Sequence, residues 1–200
     1  MSLWIGITGG IASGKSTVGK FLKELGYKVI ESDDIVKDLL ATNQVVLSSI
    51  QAAFPEALEK GLLQKDILAK IIFSDEKKRE ILNQIIHPLV KESIIQQAES
   101  VKDEDEILFI DIPLLYEAKF EDVVDLIIVV YVDYSTQVER LMKRDNINKK
   151  YAIKKIASQM SLEIKKKRAD FVIDNTSTEQ EMKNRLHEIL IHLSKGRKKQ

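Results

Sequence analysis

The sequence predicts an α/β fold: a doubly wound, five-stranded parallel sheet interrupted by a helical insertion. Two observations carry this prediction. Short continuous apolar runs, of the kind buried in parallel sheets, alternate with segments of helical spacing. Between them, from about Gln44 to Val101, lies a long stretch of helical spacing with no convincing strand.

The first run, Leu3 to Thr8 (LWIGIT), is apolar, β-rich and stopped by glycines, so it reads as a buried strand. From Lys15 the period changes. Val18, Phe21, Leu22 and Leu25 recur at helical spacing, and Gly26 closes the helix at its C′ position. Lys28 to Glu31 (KVIE) is a second brief strand, with a helix starting near Ile35. In the middle, Ile67, Leu68, Ile71 and Ile72, then Ile81, Leu82, Ile85, Ile86 and Leu89, repeat with the helical period. Pro55, Gly61 and Pro88 punctuate that stretch. The acidic run Val101 to Glu106 reads as a solvated loop. Strands return at Ile107 to Pro113 (ILFIDIP) and Leu126 to Val132 (LIIVVYV). A helix from about Ser135 to Arg144 and a lysine-rich helical stretch from Lys149 to Arg168 follow. Asp170 to Asp174 (DFVID) is the last strand. A final amphipathic helix carries Met182, Leu186, Ile189, Leu190 and Leu193, and the tail KGRKKQ is expected to fray.

The 200 residues suit a single domain: a core of 1–43 and 102–200, an insertion of 44–101, and a lid over about 140–168. The 31 basic and 31 acidic residues balance, which argues against a dedicated nucleic-acid binder. The balance is local, however. Glu99 to Asp125 holds ten acids and two lysines, and Gln137 to Arg168 holds eleven basic residues and three acids. The second stretch reads either as a face for an anionic ligand or as a solvated helical surface. With no cysteine, disulfide and thiolate chemistry are excluded. No apolar run is long enough to span a membrane and no leader-like segment is visible, so the expected location is the cytoplasm. The expected form is a monomer, with weak association left open.

Gly9-x-x-x-x-Gly14-Lys15-Ser16 matches the phosphate-loop pattern GxxxxGK[ST], and it follows a strand and opens a helix as that motif must. Small residues leave backbone N–H groups free to turn toward a phosphate, and the helix presents its positive end. The loop predicts ATP binding by Gly10, Ile11, Ala12, Ser13 and Gly14. Lys15 is expected to bridge the β- and γ-phosphates, Ser16 to ligate Mg²⁺, and Thr17 to lie near the α-phosphate.

Asp33 stands just past the second strand. It reads equally as a base for a substrate hydroxyl and, with Ser32 and Asp34, as a helix cap. Asp111 ends the third strand of the sheet, where a carboxylate can hold Mg²⁺ through its water shell. Arg140 and Arg144 share a helix face and read as a phosphate clamp or as surface charge. His87 lies beside Pro88 and reads more readily as structural than as catalytic. With no cluster of His or Cys, a structural zinc is not expected.

TGGIASGKSTV (Thr8 to Val18), VIESDDI (Val29 to Ile35), IIHPLV (Ile85 to Val90), DIPLLYE (Asp111 to Glu117), QVERLMKRD and ADFVIDN (Ala169 to Asn175) occur in this order. Together they resemble the dephospho-coenzyme A kinase family, within the P-loop NTPases of nucleoside-monophosphate-kinase type. The resemblance implies phosphoryl transfer from ATP, with Mg²⁺, to the ribose 3′-hydroxyl of dephospho-coenzyme A. It implies Asp33 as general base, Lys15 and Arg140 at the transferring group, and Arg140 and Arg144 on a lid. It also implies Thr8, Asp33, His87 and Leu114 at the acceptor and a helical substrate-binding insertion. The chain departs from the family at Glu31, where an aspartate is usual, and at Lys65 and Lys155, where arginines are frequent.

A nucleoside monophosphate kinase fits less well, because no arginine precedes Arg79 to hold an acceptor phosphate. A kinase of shikimate or small sugars shares the hydroxyl acceptor but fits the long insertion and DIPLLYE less well. A nucleotide-gated switch would need an Asn-Lys-x-Asp motif, which NKKY at Asn148 does not match.

Overall fold

The computed structural model describes residues 2–59, 61–101 and 107–197. In chain order the elements are β1 (Leu3–Gly9), α1 (Lys15–Glu24), β2 (Lys28–Glu31), α2 (Ser32–Thr42) and α3 (Gln44–Ala53). Next come β3 (Leu58–Glu59), β4 (Leu62–Leu63), α4 (Lys65–Ser74), α5 (Glu76–Glu99), β5 (Ile107–Asp111) and β6 (Leu126–Tyr131). The chain closes with α6 (Tyr134–Asp145), α7 (Lys149–Ala157), α8 (Leu162–Arg168), β7 (Phe171–Asp174) and α9 (Glu179–Arg197). These elements divide into two units: Met1–Ile30 with Asp103–Gln200, and Glu31–Lys102.

The first unit is built on the expected five-stranded sheet, in the order β2-β5-β1-β6-β7. β1 runs parallel to β5, with Ile7 opposite Asp111, and parallel to β6, with Gly9 opposite Val130. β6 runs parallel to β7. The chain leaves β1 toward one edge and later returns to its other side, so the crevice beyond its carboxyl end is the natural ligand site of such a sheet.

Alternation along β1 decides its packing. Ile5 and Ile7 are fully buried in one cluster with Val18 and Leu22 of α1 and Met182, Leu186 and Leu190 of α9. Each such aliphatic side chain contributes roughly 1.5–3 kcal/mol on burial. Between them, Gly6 leaves room for the segment after β5: a Cβ there would come within 2.7 Å of Leu115 and 3.2 Å of Val124. α1 stops as its sequence predicts. Gly26 is left-handed (φ 88°), its N–H reaches the carbonyl of Lys23, and that of Tyr27 reaches the carbonyl of Leu22.

The second unit is mostly helical, with Val46, Ile50, Phe54, Leu82, Ile86, Val90 and Ile94 buried. Its caps are readable: Asn43 accepts from the N–H groups of Val45 and Val46, and Asp75 from those of Lys77 and Lys78. Two expectations need correction here. The stretch is not free of strands, because β3 and β4 form a short antiparallel pair, Leu58 opposite Leu63, that turns through left-handed Gly61. Two-residue strands leave too little alternation to read. Nor does Pro88 interrupt: α5 runs through it for 24 residues. Proline removes one backbone donor, but Leu82, Ile86, Val90, Ile94 and Ala98 bury one continuous stripe on both sides of it.

The lysine-rich stretch is helical as expected, in two pieces. It breaks into α7 and α8, with Ser161 capping the second by accepting from the N–H of Ile164. At the carboxyl end, Lys195–Arg197 continue α9 instead of fraying, and residues 198–200 lie outside the described residues. So do residues 102–106 of the acidic run. Among the described residues no helix is long and apolar enough to cross a membrane.

Candidate active site

β1 delivers the chain to the glycine loop, and α1 takes it away. The loop turns through two left-handed residues, Ala12 (φ 60°) and Gly14 (φ 92°). Its small residues have identifiable neighbours. A Cβ at Gly9 would lie 2.6 Å from the Ser13 hydroxyl and 2.9 Å from the Val130 carbonyl. One at Gly10 would lie 2.7 Å from Nε2 of Gln137, and one at Gly14 would collide with the side-chain amide of Asn175.

Those neighbours hold the loop from behind. Asn175 donates from Nδ2 to the Ser13 carbonyl at 2.9 Å, and Gln137 from Nε2 to the Ile11 carbonyl at 2.8 Å. Lys165 donates from Nζ to the Gly9 carbonyl at 3.1 Å. The loop's carbonyls at Gly9, Ile11 and Ser13 are thereby engaged by side chains, leaving its amides to define the concave face. The N–H groups of Ile11 and Ser13 are exceptions: Ile11 donates to Oε1 of Gln159 at 2.9 Å and Ser13 to the Gly10 carbonyl at 3.1 Å. The side chains of Ile11 and Ala12 pack against Val138, Leu141, Ala152 and Ile156, which joins the loop to α6 and α7.

At the start of α1, Lys15 contacts Oδ1 of Asp111, the last residue of β5. Lys15 keeps 17% and Asp111 11% of side-chain exposure, so the pair lies at the edge of solvent. Ser16 is exposed and Thr17 half-buried on the first turn of α1. Thr8 is fully buried, and its hydroxyl donates to the Pro113 carbonyl at 3.0 Å. Leu114, next along, is exposed.

Arg140 and Arg144 both lie on α6. Arg140 has no hydrogen-bond or ion-pair partner among the described residues, whereas Arg144 contacts Oδ1 of Asp145 at 2.8 Å. Lys155 holds the other oxygen of Asp145 at 2.7 Å. Hydrogen bonds from Arg144 and then Lys155 lower the Asp145 carboxyl to about 2.

Two predicted residues belong to the helical unit. Asp33 is exposed in the first turn of α2. The capping position of that helix is Glu31, which makes no side-chain capping bond, so Asp33 does not cap. Its neighbour Asp34 is paired with Lys37 at 2.6 Å. Asp33 has no such partner among the described residues. His87 is half-buried in the middle of α5, and burial pushes its pKa down.

Sequence reasoning gave no role to Lys165, Gln137, Gln159, Glu117 or Asn175. Lys165 is fully buried, where a solvated or anion-facing lysine was expected. The available signal is Leu162, three residues earlier on the same face of α8 and also buried.

A buried carboxylate and a lysine at the mouth of a glycine loop, with the loop's carbonyls tied from behind, is a phosphate-transfer arrangement. Comparison with known proteins agrees. The family model described as CoaE, dephospho-CoA kinase, matches residues 3–181. The chain belongs to the dephospho-CoA kinase family. Membership makes it a kinase. It is 42% identical over 193 residues to the dephospho-CoA kinase of Bacillus licheniformis, covering 95% of this chain and 96% of that one. The solved dephospho-CoA kinase of Campylobacter jejuni is 30% identical, covers 98% of this chain and 100% of its own, and superposes with a TM-score of 0.74. A solved Thermus thermophilus protein is also 30% identical, covers 96% of this chain and 98% of its own, and has a TM-score of 0.81.

Proposed function

We propose that the chain transfers the γ-phosphoryl group of ATP to the ribose 3′-hydroxyl of dephospho-coenzyme A, giving coenzyme A and ADP. The contact between Lys15 and Asp111 at the loop mouth carries the donor half of this reading. An ammonium held there is placed to trade its carboxylate for the β- and γ-phosphates of the nucleotide. The loop amides and the amino end of α1 receive the remaining phosphate charge.

The residues also fit a magnesium ion. Asp111 is a buried carboxylate at a strand end and Ser16 an exposed hydroxyl at the start of α1. Between them they would hold Mg²⁺, which when bound neutralises developing phosphate charge. Arg140 and Arg144 add guanidinium charge to the transferring group, Arg144 after leaving Asp145. Asp33 accepts the proton of the acceptor hydroxyl, a task for which an exposed carboxylate with no ion-pair partner among the described residues is suited. Thr8, His87 and Leu114 complete the acceptor side, Thr8 through its hold on Pro113. Residues 44–101 serve as the acceptor-binding part and about 140–168 as a lid, in a monomer working in the cytoplasm.

Product analysis with ATP and dephospho-coenzyme A, AMP, shikimate or no acceptor tests this. Phosphorylation of dephospho-coenzyme A alone is the expected result. Equal turnover with AMP or shikimate, or nucleotide binding without turnover, would overturn it.

A further inference from the structure

Lys165 is the most deeply buried cation among the described residues, with no side-chain exposure. A buried ammonium is costly unless its three donors are all used. Here they are. Nζ lies 3.1 Å from the Gly9 carbonyl, 3.1 Å from the Pro113 carbonyl and 3.0 Å from Oε1 of Glu117.

The two carbonyls come from the ends of neighbouring strands. β1 and β5 stay paired up to Ile7 opposite Asp111, and the N–H of Ile112 still reaches the Ile7 carbonyl at 2.9 Å. Beyond that point Gly9 enters the glycine loop, and Pro113, which has no N–H, turns the other chain away. Lys165 fills the opening. It supplies side-chain donors where the ladder has run out, and it ties together the two segments that carry Lys15 and Asp111. Glu117 extends the tie, because Oε1 also accepts from the N–H of Met160 in the α7–α8 connection at 2.9 Å. One residue earlier, Gln159 takes the N–H of Ile11.

We propose that Lys165 is a positioning residue for phosphoryl transfer: a buried strut that sets the spacing between the glycine loop and the Asp111 strand end. Its three donors are spent on protein acceptors. It acts through the Gly9 and Pro113 carbonyls. Burial lowers its pKa, the Lys15 charge adds to that, and Glu117 opposes both. The inference rests on the kinase reading for its kinetic consequences and on the glycine loop alone for nucleotide affinity.

The test uses the full chain. Lys165→Met combined with Glu117→Gln removes the cation without leaving the half-buried Glu117 carboxylate uncompensated. Lys165→Arg keeps the charge but replaces a compact ammonium by a planar fork that cannot meet the same three acceptors. Circular dichroism follows folding, calorimetric titration follows ADP affinity, and initial rates give kcat and the KM of each substrate. The expected result is folded variants with ADP affinity and kcat each lowered by about 10- to 100-fold and the acceptor KM unchanged. Lys165→Arg should recover part of the ADP affinity but not wild-type kcat. Wild-type ADP affinity and kcat in either folded variant overturns the proposal. So does loss of the fold in both, since the residue then serves folding alone. A wild-type chain that binds ADP but phosphorylates no acceptor overturns the functional reading instead, while ADP affinity in the variants still decides the strut.

Discussion

The sheet unit and the helical unit bury different things. Among the described residues, Thr8, Ser13, Asp111, Gln137, Lys165 and Asn175 are buried polar groups of the sheet unit, while Ser32 is the helical unit's one example. The helical unit otherwise closes on Val46, Ile50, Phe54, Leu68, Leu82 and Ile94. Apolar burial stabilises without asking for a unique arrangement, whereas a buried polar group is stable only when its partner is in place. Among the described residues the buried hydroxyls of Ser13 and Tyr116 and Oε2 of Glu117 have no hydrogen-bond partner, whereas Thr8, Asp111, Gln137, Lys165 and Asn175 are bonded to the glycine loop or to the segments beside it. Their concentration marks the backbone that must hold one shape.

That contrast can be broken at several depths. The largest effect is expected at Lys15. Lys15→Ala should lower kcat by about a thousandfold while the fold survives, as measured by initial rates beside circular dichroism. Near-wild-type turnover would show that the sheet unit does not hold the transferring phosphates. Asp33→Asn examines the other unit. Turnover should fall about a hundredfold with ADP affinity unchanged in calorimetric titration. A fall in nucleotide affinity of the same size would move Asp33 to the donor side.

Gly14→Ala asks whether the loop is as constrained as its neighbours imply. A Cβ there meets the Asn175 amide in a left-handed backbone, so a cost of about 1–3 kcal/mol is expected in denaturant unfolding, with weaker ADP binding. An unchanged midpoint would mean that the polar frame yields. Asp75→Ala supplies the apolar counterpart. Losing the cap of α5 should cost about 1 kcal/mol in the same unfolding experiment and leave kcat untouched.

The same contrast explains what could be read in advance. The strands around Ile5, Phe109 and Val130 were legible because parallel strands buried on both faces are continuous apolar runs. Lys15, Ser16 and Gly14 were legible because the spacing of a phosphate loop is itself the mechanism. Lys165 was hidden inside KKKR, where composition signals solvent and only position on α8 separates a buried lysine from exposed ones. Gln137 and Gln159 were hidden for a different reason. Their partners, the carbonyl and N–H of Ile11, are 126 and 148 residues away in the chain. No local pattern reports such a pairing. In the helical unit, β3 and β4 were too short to register, and Pro88 misled because its backbone cost is outweighed by a stripe on both sides.

The amide of Asn175 against the Ser13 carbonyl has a consequence for the order in which the molecule is made. The glycine motif is synthesised before the groups that shape it: Gln137, then Gln159 and Lys165, then Asn175. A nascent chain ending before β7 carries the nucleotide motif without its full frame. Competence to grip a nucleotide therefore waits for β7, and it reports that the last strand of the sheet has docked.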